Sequence, residues 1–348
     1  ARGFVTTRVV AASQDLTAGR LDLTVVPGRI RAIRFAPGTD ARATSWNAVP
    51  ARPGDLLNLR DIEQALENFK RVPTVEADIQ IAPADGDHAD AGDSDLVIVW
   101  QQRRPVRVSV TLDDSGSQGT GKLQGGATVS LDDALRWNDL FYVSVGHGVF
   151  NGSDKGTRSY TAHYSAPLRY WLLAATGGAS DYYQSVAGSF QSYVYSGTSR
   201  NAELKASRLL FRNARIKTGA FGRGWYRDSA NFIDDTEIEV QRRRTAGWEV
   251  GMTHRHFLGT ATLDANAAYR RGTGAFAALV APEEAFGEGT AGSVLITADA
   301  QLAVPFKLGT LGLRYSASWR AQWNRTALVP QDRFAIGGRH SVRGFDGE

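Results

Sequence analysis

The side chains in this chain that could do chemistry are few and scattered. His254 and His256 stand two apart on one face of an extended segment, and two imidazoles so placed could hold a metal. No third ligand accompanies them, so a pair at a strand end is the plainer reading. Asp85, Asp87, Asp90, Asp93 and Asp95 crowd one stretch that could attract calcium. Their spacing does not match an EF-hand and no Glu closes it, which leaves a solvated hairpin loop. His163 lies among Ser159, Thr161 and Ser165, but catalysis would need a nucleophile, a base and an orienting group together, and no motif supplies them. No Gly-x-x-x-x-Gly-Lys-Ser/Thr phosphate loop occurs, and Asn151-Gly152-Ser153 reads as a turn. Arg242-Arg243-Arg244 is the one tight basic cluster in a chain of net charge +4. It reads as a strand end or loop, since a nucleic-acid surface needs a concentrated basic stripe. The reading assigns no catalytic residue, no metal, no cofactor and no nucleic-acid partner. What remains is the tetrapeptide Val342-Arg343-Gly344-Phe345 in the last loop.

The segment before that loop alternates almost without fault. Leu311, Leu313, Tyr315, Ala317, Trp319, Ala321 and Trp323 are apolar, and Gly312, Arg314, Ser316, Ser318, Arg320, Gln322 and Asn324 between them are small, polar or charged. Successive side chains of a strand point to opposite faces, so this segment has one apolar and one wet face. Its length exceeds the usual 5–6 or so residues of a globular strand and suits a tilted strand crossing an outer membrane. From Pro105 onward the same grammar recurs, near 105–113, 122–132, 140–150, 157–167, 171–185, 199–212, 215–229, 242–257, 260–271, 292–306 and 310–326. The connections 135–139, 167–171 and 212–214 are tight, while 186–198 and 272–291 are longer, the asymmetry of periplasmic turns and external loops. Trp137, Tyr170, Trp171 and Trp225 fall near strand ends, where an aromatic belt would sit. Eleven strands would leave an open edge in lipid, so further strands are expected to close the wall.

The chain has 348 residues, 37 glycines, 10% aromatics and no cysteine, which excludes disulfides and thiolate metal sites. No run of apolar residues is long enough for a membrane-spanning helix, which leaves a barrel open as a possibility. The start, Ala1-Arg2-Gly3-Phe4, lacks the charged and apolar regions of a signal peptide, so the chain reads as processed or truncated there.

Residues 1–104 follow a different grammar. Phe4–Ala11, Arg20–Val26 and Ile30–Phe35 are β-rich. Asn58 then caps a helix whose Leu59, Ile62, Leu66 and Phe69 recur at helical spacing, and Pro73 stops it. Val75, Ala77, Ile79 and Ile81 alternate as a half-buried strand, and Leu96–Gln102 forms the next. The expectation is an antiparallel sheet covered by the helix on one face. The strand 75–83 is also the candidate for binding an extended polypeptide, because an edge strand offers unpaired backbone groups. Full pairing within the module is the competing reading.

Several of these stretches resemble a known family. Leu56–Glu67 continuing to Arg71-Val72-Pro73 resembles the second POTRA domain of two-partner secretion transporters. Gly3–Val9 and Leu21–Gly28 resemble the tail of the first POTRA domain, and Val342-Arg343-Gly344-Phe345 resembles the sixth-loop motif of the BamA/FhaC superfamily. The resemblance implies an all-β transmembrane barrel of about sixteen strands, eleven of them present here, preceded by periplasmic α+β POTRA domains. It divides the chain into 1–29 (end of the first POTRA domain), 30–104 (second POTRA domain) and 105–348 (barrel, ending in the sixth external loop). It further implies a monomer in the lipid of the bacterial outer membrane, exporting a large secreted client of the filamentous-haemagglutinin type. In that family the long loop folds into the lumen, where the motif arginine, here Arg343, meets an acidic residue. A guanidinium can grip a carboxylate with two parallel bonds, which suits it to pinning a loop tip. A BamA-type assembly factor and a soluble β-rich adhesin or binding module remain the alternatives.

Overall fold

A computed structural model describes residues 3–17, 19–84, 90, 92–117 and 119–334. The described residues form two compact units. One comprises 1–106 together with 131–140 and 166–172; the other comprises 107–130, 141–165 and 173–348.

In the first unit, β1 (Arg8–Val10) pairs antiparallel with β2 (Thr24–Val26). A separate sheet has the order β3 (Arg29–Phe35), β5 (Asp93–Gln102), β4 (Val75–Pro83). Helix α1 (Leu59–Phe69) packs on it, with the Asn58 side chain accepting the Arg60 N–H at 2.9 Å. Ile62, Ala65 and Phe69 of α1 meet Val75, Ala77, Ile79, Leu96, Ile98 and Trp100 in one core. The sheet is not wholly antiparallel as expected: β4 and β5 are antiparallel, but β3 runs parallel to β5. The crossover from β3 through α1 lets two parallel strands neighbour each other, and sequence alternation carries no sign of strand direction.

Asp95 on β5 is almost fully buried and accepts both arms of the Arg31 guanidinium, at 3.0 and 2.9 Å, with Arg34 at 3.4 Å. The hydrogen bond from Arg31 holds its carboxyl below the usual aspartate range. A depressed folded-state value stabilises the fold above the unfolded value, and that contribution disappears as pH falls through the folded one. The protection of the β5 amides, measured against their intrinsic exchange rate at each pH, should therefore fall on acidification in the native protein. In Asp95→Asn that protection should be lower at neutral pH, by about 1–2 kcal/mol given the half-exposed arginines, and flatter with pH. Identical pH profiles for the two proteins would reject this role.

Two turns complete the first unit through a dense polar network. The Asn47 amide donates to the carbonyls of Trp137 (2.5 Å) and Pro167 (3.1 Å), and its oxygen accepts from Asn138 Nδ2 at 2.9 Å. Asn68 on α1 donates to Ala48 O (2.7 Å) and Arg169 O (2.8 Å). Asp132 accepts from the Thr74 hydroxyl at 2.9 Å and is fully buried. The turn 133–139 places Asp133, Arg136 and Asn138 at positive φ. Asp139 stabilises that turn by accepting the N–H groups of Leu135 and Trp137. Burial raises the carboxyls of Asp133 and Asp61 above the usual range, although the Tyr170 hydroxyl donates to Asp61. Trp137 packs edge-on against Trp46 at 5.9 Å. Trp137 and Tyr170 thus serve this unit instead of an aromatic belt.

The second unit is built on one long antiparallel sheet. Its strands are β6 (Val106–Asp113), β7 (Gln124–Asp132), β8 (Leu140–Gly148), β9 (Lys155–Leu168), β10 (Trp171–Ala187), β11 (Ser192–Arg212), β12 (Ile216–Ile233), β14 (Arg243–Leu258), β15 (Ala261–Thr273), β16 (Val294–Leu308) and β17 (Leu311–Asn324). They follow one another in chain order, and the two-residue β13 (Thr236–Glu237) pairs with β12. The expected loop 186–198 is a correction: only 188–191 separates β10 from β11, closed by Gly188 N–H to Gln191 O at 2.9 Å. Small and polar residues there resembled a turn, yet Tyr195, Ser196 and Gly197 pair in register with Ile233, Phe232 and Asn231. No helix among the described residues is long and apolar enough to cross a membrane, which says nothing of crossing by strands.

Candidate functional site

The cross-strand register sorts the long sheet into two chemically distinct faces. On one lie Leu204, Val250, Met252, Trp319 and Trp323, all large, apolar and exposed. On the other, Arg223, Glu249, Arg270 and Leu295 stand directly opposite one another across β12, β14, β15 and β16. Arg223 bridges Glu203 at 2.9 Å and Glu249 at 2.5 Å, so acid and arginine alternate from Glu203 to Arg270, although Lys205 is the residue directly opposite Arg223 on β11. Further along the same polar face, Asn266 donates to Asp299 at 3.1 Å, and Arg255 pairs with Asp264.

Glycines shape this face. Gly247 lies opposite Trp225 and Gly251 opposite Phe221. A Cβ on either would sit 2.7 or 2.6 Å from the facing ring. Two aromatic rings can therefore lie along the sheet, and each carries a cation: Lys205 Nζ stands 4.5 Å from the centre of Phe221 and Arg270 4.2 Å from that of Trp225. Trp225 is accordingly on the polar face and in the middle of β12, not in a belt; the expected strand, which ended at 229, brought it nearer a strand end than it is. The aromatic cluster on the apolar face is instead Trp248 with Tyr269, at 5.6 Å.

The chain leaving β17 folds back over the polar face. Arg325 N–H donates to Val294 O (2.9 Å), and Leu328 bridges Thr290. Leu328 and Val329 are buried. Asp332 follows in a short 3-10 turn, where its carboxylate receives Arg270 at 3.2 Å and the Ser293 hydroxyl at 3.1 Å. The Gln322 side chain donates to Asp332 O at 2.9 Å, and the Arg320 guanidinium lies 5.7 Å from the Phe334 ring centre. Sequence reasoning missed Asp332. Its only signal was an acidic residue just past the last alternating segment, with nothing to announce a partner 62 positions earlier in the chain.

Val342, Arg343, Gly344 and Phe345 lie outside the described residues, as do six positions, 85–89 and 91, of the acidic stretch. Val75, Ala77 and Ile79 send their side chains into the core of the first unit, and Ile81 is exposed. What β4 presents outward is Glu76, Asp78 and Gln80 and its backbone edge, because among the described residues its only strand neighbour is β5. His254 and His256 point to the apolar face, their rings 5.9 Å apart, with His254 Nδ1 2.9 Å from the Thr218 hydroxyl. No group of three or more potential ligands for a metal occurs among the described residues. His163 contacts the Thr176 and Ser165 hydroxyls and stacks on Tyr142 at 5.0 Å. Each of Arg242, Arg243 and Arg244 is ion-paired, with Glu237, Glu283 and Asp228.

A membrane-spanning antiparallel sheet with one apolar and one charged face, following an α+β module in the sequence, defines an outer-membrane β-barrel transporter with a POTRA domain. The comparisons give the same class. The family described as haemolysin secretion/activation protein ShlB/FhaC/HecB matches residues 92–348, and the POTRA domain family matches 29–83. The outer membrane transporter CdiB-2 of Burkholderia pseudomallei (strain 1026b) is 35% identical over 350 aligned positions, covering all of this chain and 59% of its own length. The solved structure of CdiB from Escherichia coli superposes with a TM-score of 0.90 at 29% identity, over 99% of this chain and 63% of that one. CdiB from Acinetobacter baumannii gives 0.84 at 34% identity, over 99% and 62%. The chain belongs to the ShlB/FhaC/HecB family of two-partner secretion transporters. It is a protein of the outer membrane, with its POTRA domain in the periplasm, and it spans about three fifths of the length of these relatives.

Proposed function

We propose that the full-length protein is a polypeptide-translocating pore that passes one large secreted exoprotein, of the haemagglutinin type, outward through its barrel as a monomer. The observation that supports this most is the charged inner face of the long sheet, set against an apolar outer face on the same strands. A row that alternates Glu and Arg is nearly neutral, so an unfolded chain of either charge can move along it without sticking. No nucleotide-binding loop is present in the chain, and folding of the client outside would supply the drive.

Capture belongs to β4. Its free edge offers backbone donors and acceptors to an extended client, and Glu76, Asp78 and Gln80 flank that edge. Its apolar side chains hold the module together, so recognition there runs through the backbone. Arg343, in the loop after β17, takes the role of the lumen-docked arginine that the family motif implies. The test is secretion of the paired exoprotein by cells expressing full-length variants, with heat-modifiable gel mobility as the control for a folded barrel. Gln80→Lys with Ile81→Lys should cut export several-fold, since charge blunts strand addition at an edge, and Arg343→Ala should do so as well. Both should leave the barrel folded. Normal export by the β4 variant would reject capture at that edge.

A further inference from the structure

We infer that the connection between β15 and β16 builds, with the apolar face of β14 and β15, a site for the head group of a phosphorylated glycolipid of the outer leaflet, whose phosphate Arg271 holds.

Register and chain path place the site. The periplasmic POTRA domain precedes β6, and the long strands run antiparallel in chain order, so the connection from β15 to β16 is external. Trp248 stands opposite Arg271, two positions from the pair Val250 and Tyr269, and all four therefore share the lipid-facing side. The rings of Trp248 and Tyr269 lie 5.6 Å apart. Aromatic rings at the end of a membrane strand mark the level of the lipid head groups. Arg271 is thus a cation on the outside of the wall at that level.

The chemistry of the site selects the occupant. Arg244 and Arg270 nearby are each bound to an aspartate. Arg271 is exposed and has no acidic or hydrogen-bonded partner for its side chain among the described residues. It lines a cavity of about 560 Å³ together with Trp248, Thr273, Glu284 and Thr290, a volume in the range of small-ligand sites. A guanidinium grips phosphate with two parallel hydrogen bonds. The Glu284 carboxylate, which has no side-chain partner among the described residues either, accepts hydroxyl groups, and the flat indole of Trp248 suits a sugar ring. A bare phosphate would use the arginine alone. A phosphorylated sugar uses the arginine, the acid and the ring together. Leu279 and Val280 line the same cavity and are exposed, which suits them to acyl chains.

The connection is also built to lie on this side. The Leu279 N–H donates to Arg244 O at 2.8 Å, Phe276 meets Tyr226 edge-on at 6.2 Å, and Ala246 beneath is buried although it faces outward. Phe276 and Ala277 both hold φ at 54°, backbone that residues with a Cβ rarely adopt. Strain of this kind persists where the surroundings fix it, and it clusters at ligand sites.

Native mass spectrometry of the full-length protein in mild detergent tests the site. The probes are lipid A with its phosphates, lipid A with its phosphates removed, and phosphatidylglycerol. The wild type should retain phosphorylated lipid A about fivefold or more over either of the others. Arg271→Gln should lose that preference. Ala278→Trp, which fills the cavity and leaves the arginine in place, should lose it too, and either variant decides the question should the other fail to insert. Arg215→Gln, the same change in the turn between β11 and β12 at the opposite end of the sheet, should keep it. Heat-modifiable mobility verifies that each variant is folded. Equal retention of the three lipids by the wild type, or a preference that survives Arg271→Gln or Ala278→Trp in a folded barrel, would overturn the site. Equal loss in Arg215→Gln would overturn it as well, by showing a general effect of charge. Glucosamine 1-phosphate binding as tightly as lipid A would overturn the assignment to a lipid.

Discussion

Ala300→Arg should destabilise the folded protein in lipid vesicles by about 2–4 kcal/mol, the cost of a charge on the lipid face of a barrel near the membrane midplane. Its neighbour Gln301→Arg should cost less than about 1 kcal/mol, as an ordinary change on a wetted surface. The two positions are adjacent on β16, share backbone geometry and differ only in which face they occupy. Ala300 lies opposite Ala265 and Trp319, whereas Gln301 lies opposite Asp264 and Ser318. Urea titration of the vesicle-inserted protein measures both. Equal costs would mean that the strand does not separate lipid from water as its register requires.

Asn47→Ala should be the most damaging change in the first unit that leaves the apolar core untouched. Removing its amide takes a donor from the carbonyls of Trp137 and Pro167 and one acceptor from Asn138 Nδ2, which keeps the Thr44 carbonyl at 3.1 Å. A buried polar group left unpaired costs about 1–3 kcal/mol, so two of them amount to about 2–5 kcal/mol after partial relaxation. The loss should be local. Amides in 131–140 and 166–172 should exchange faster, while those of β4 and β5 stay protected by the core. Exchange in the two turns at the wild-type rate would show that Asn47 is dispensable.

Much of this was legible in the sequence, for a physical reason. A membrane strand buries every second side chain in lipid, so alternation reports each strand and which residues share a face. Leu311–Trp323 shows it clearly, and the eleven long strands lie near the spans the pattern predicts, except that β11 begins at Ser192, inside an expected loop. The Asn58 cap and the spacing of Ile62 and Phe69 likewise gave α1 correctly. What alternation cannot report is anything set by a partner far along the chain. The parallel pairing of β3 with β5, the inward place of Trp225 opposite Gly247, and the meeting of Asp332 with Arg270 all depend on register across strands. The same limit explains the site residues proposed on β4. Val75, Ala77 and Ile79 were legible as one face, but whether that face met a client or the module's own core was decided by α1.

The central claim is that an exported polypeptide passes along the polar face of the long sheet. Photo-reactive amino acids placed singly in the full-length protein test it during active export. Gln301 and Ser318 face inward, and Ala300 and Trp319 sit beside them on the outer face. With export stalled midway, the client should cross-link to the first pair at several times the yield of the second. A client that is exported normally yet cross-links to neither inward position, or equally to both faces, would contradict the account.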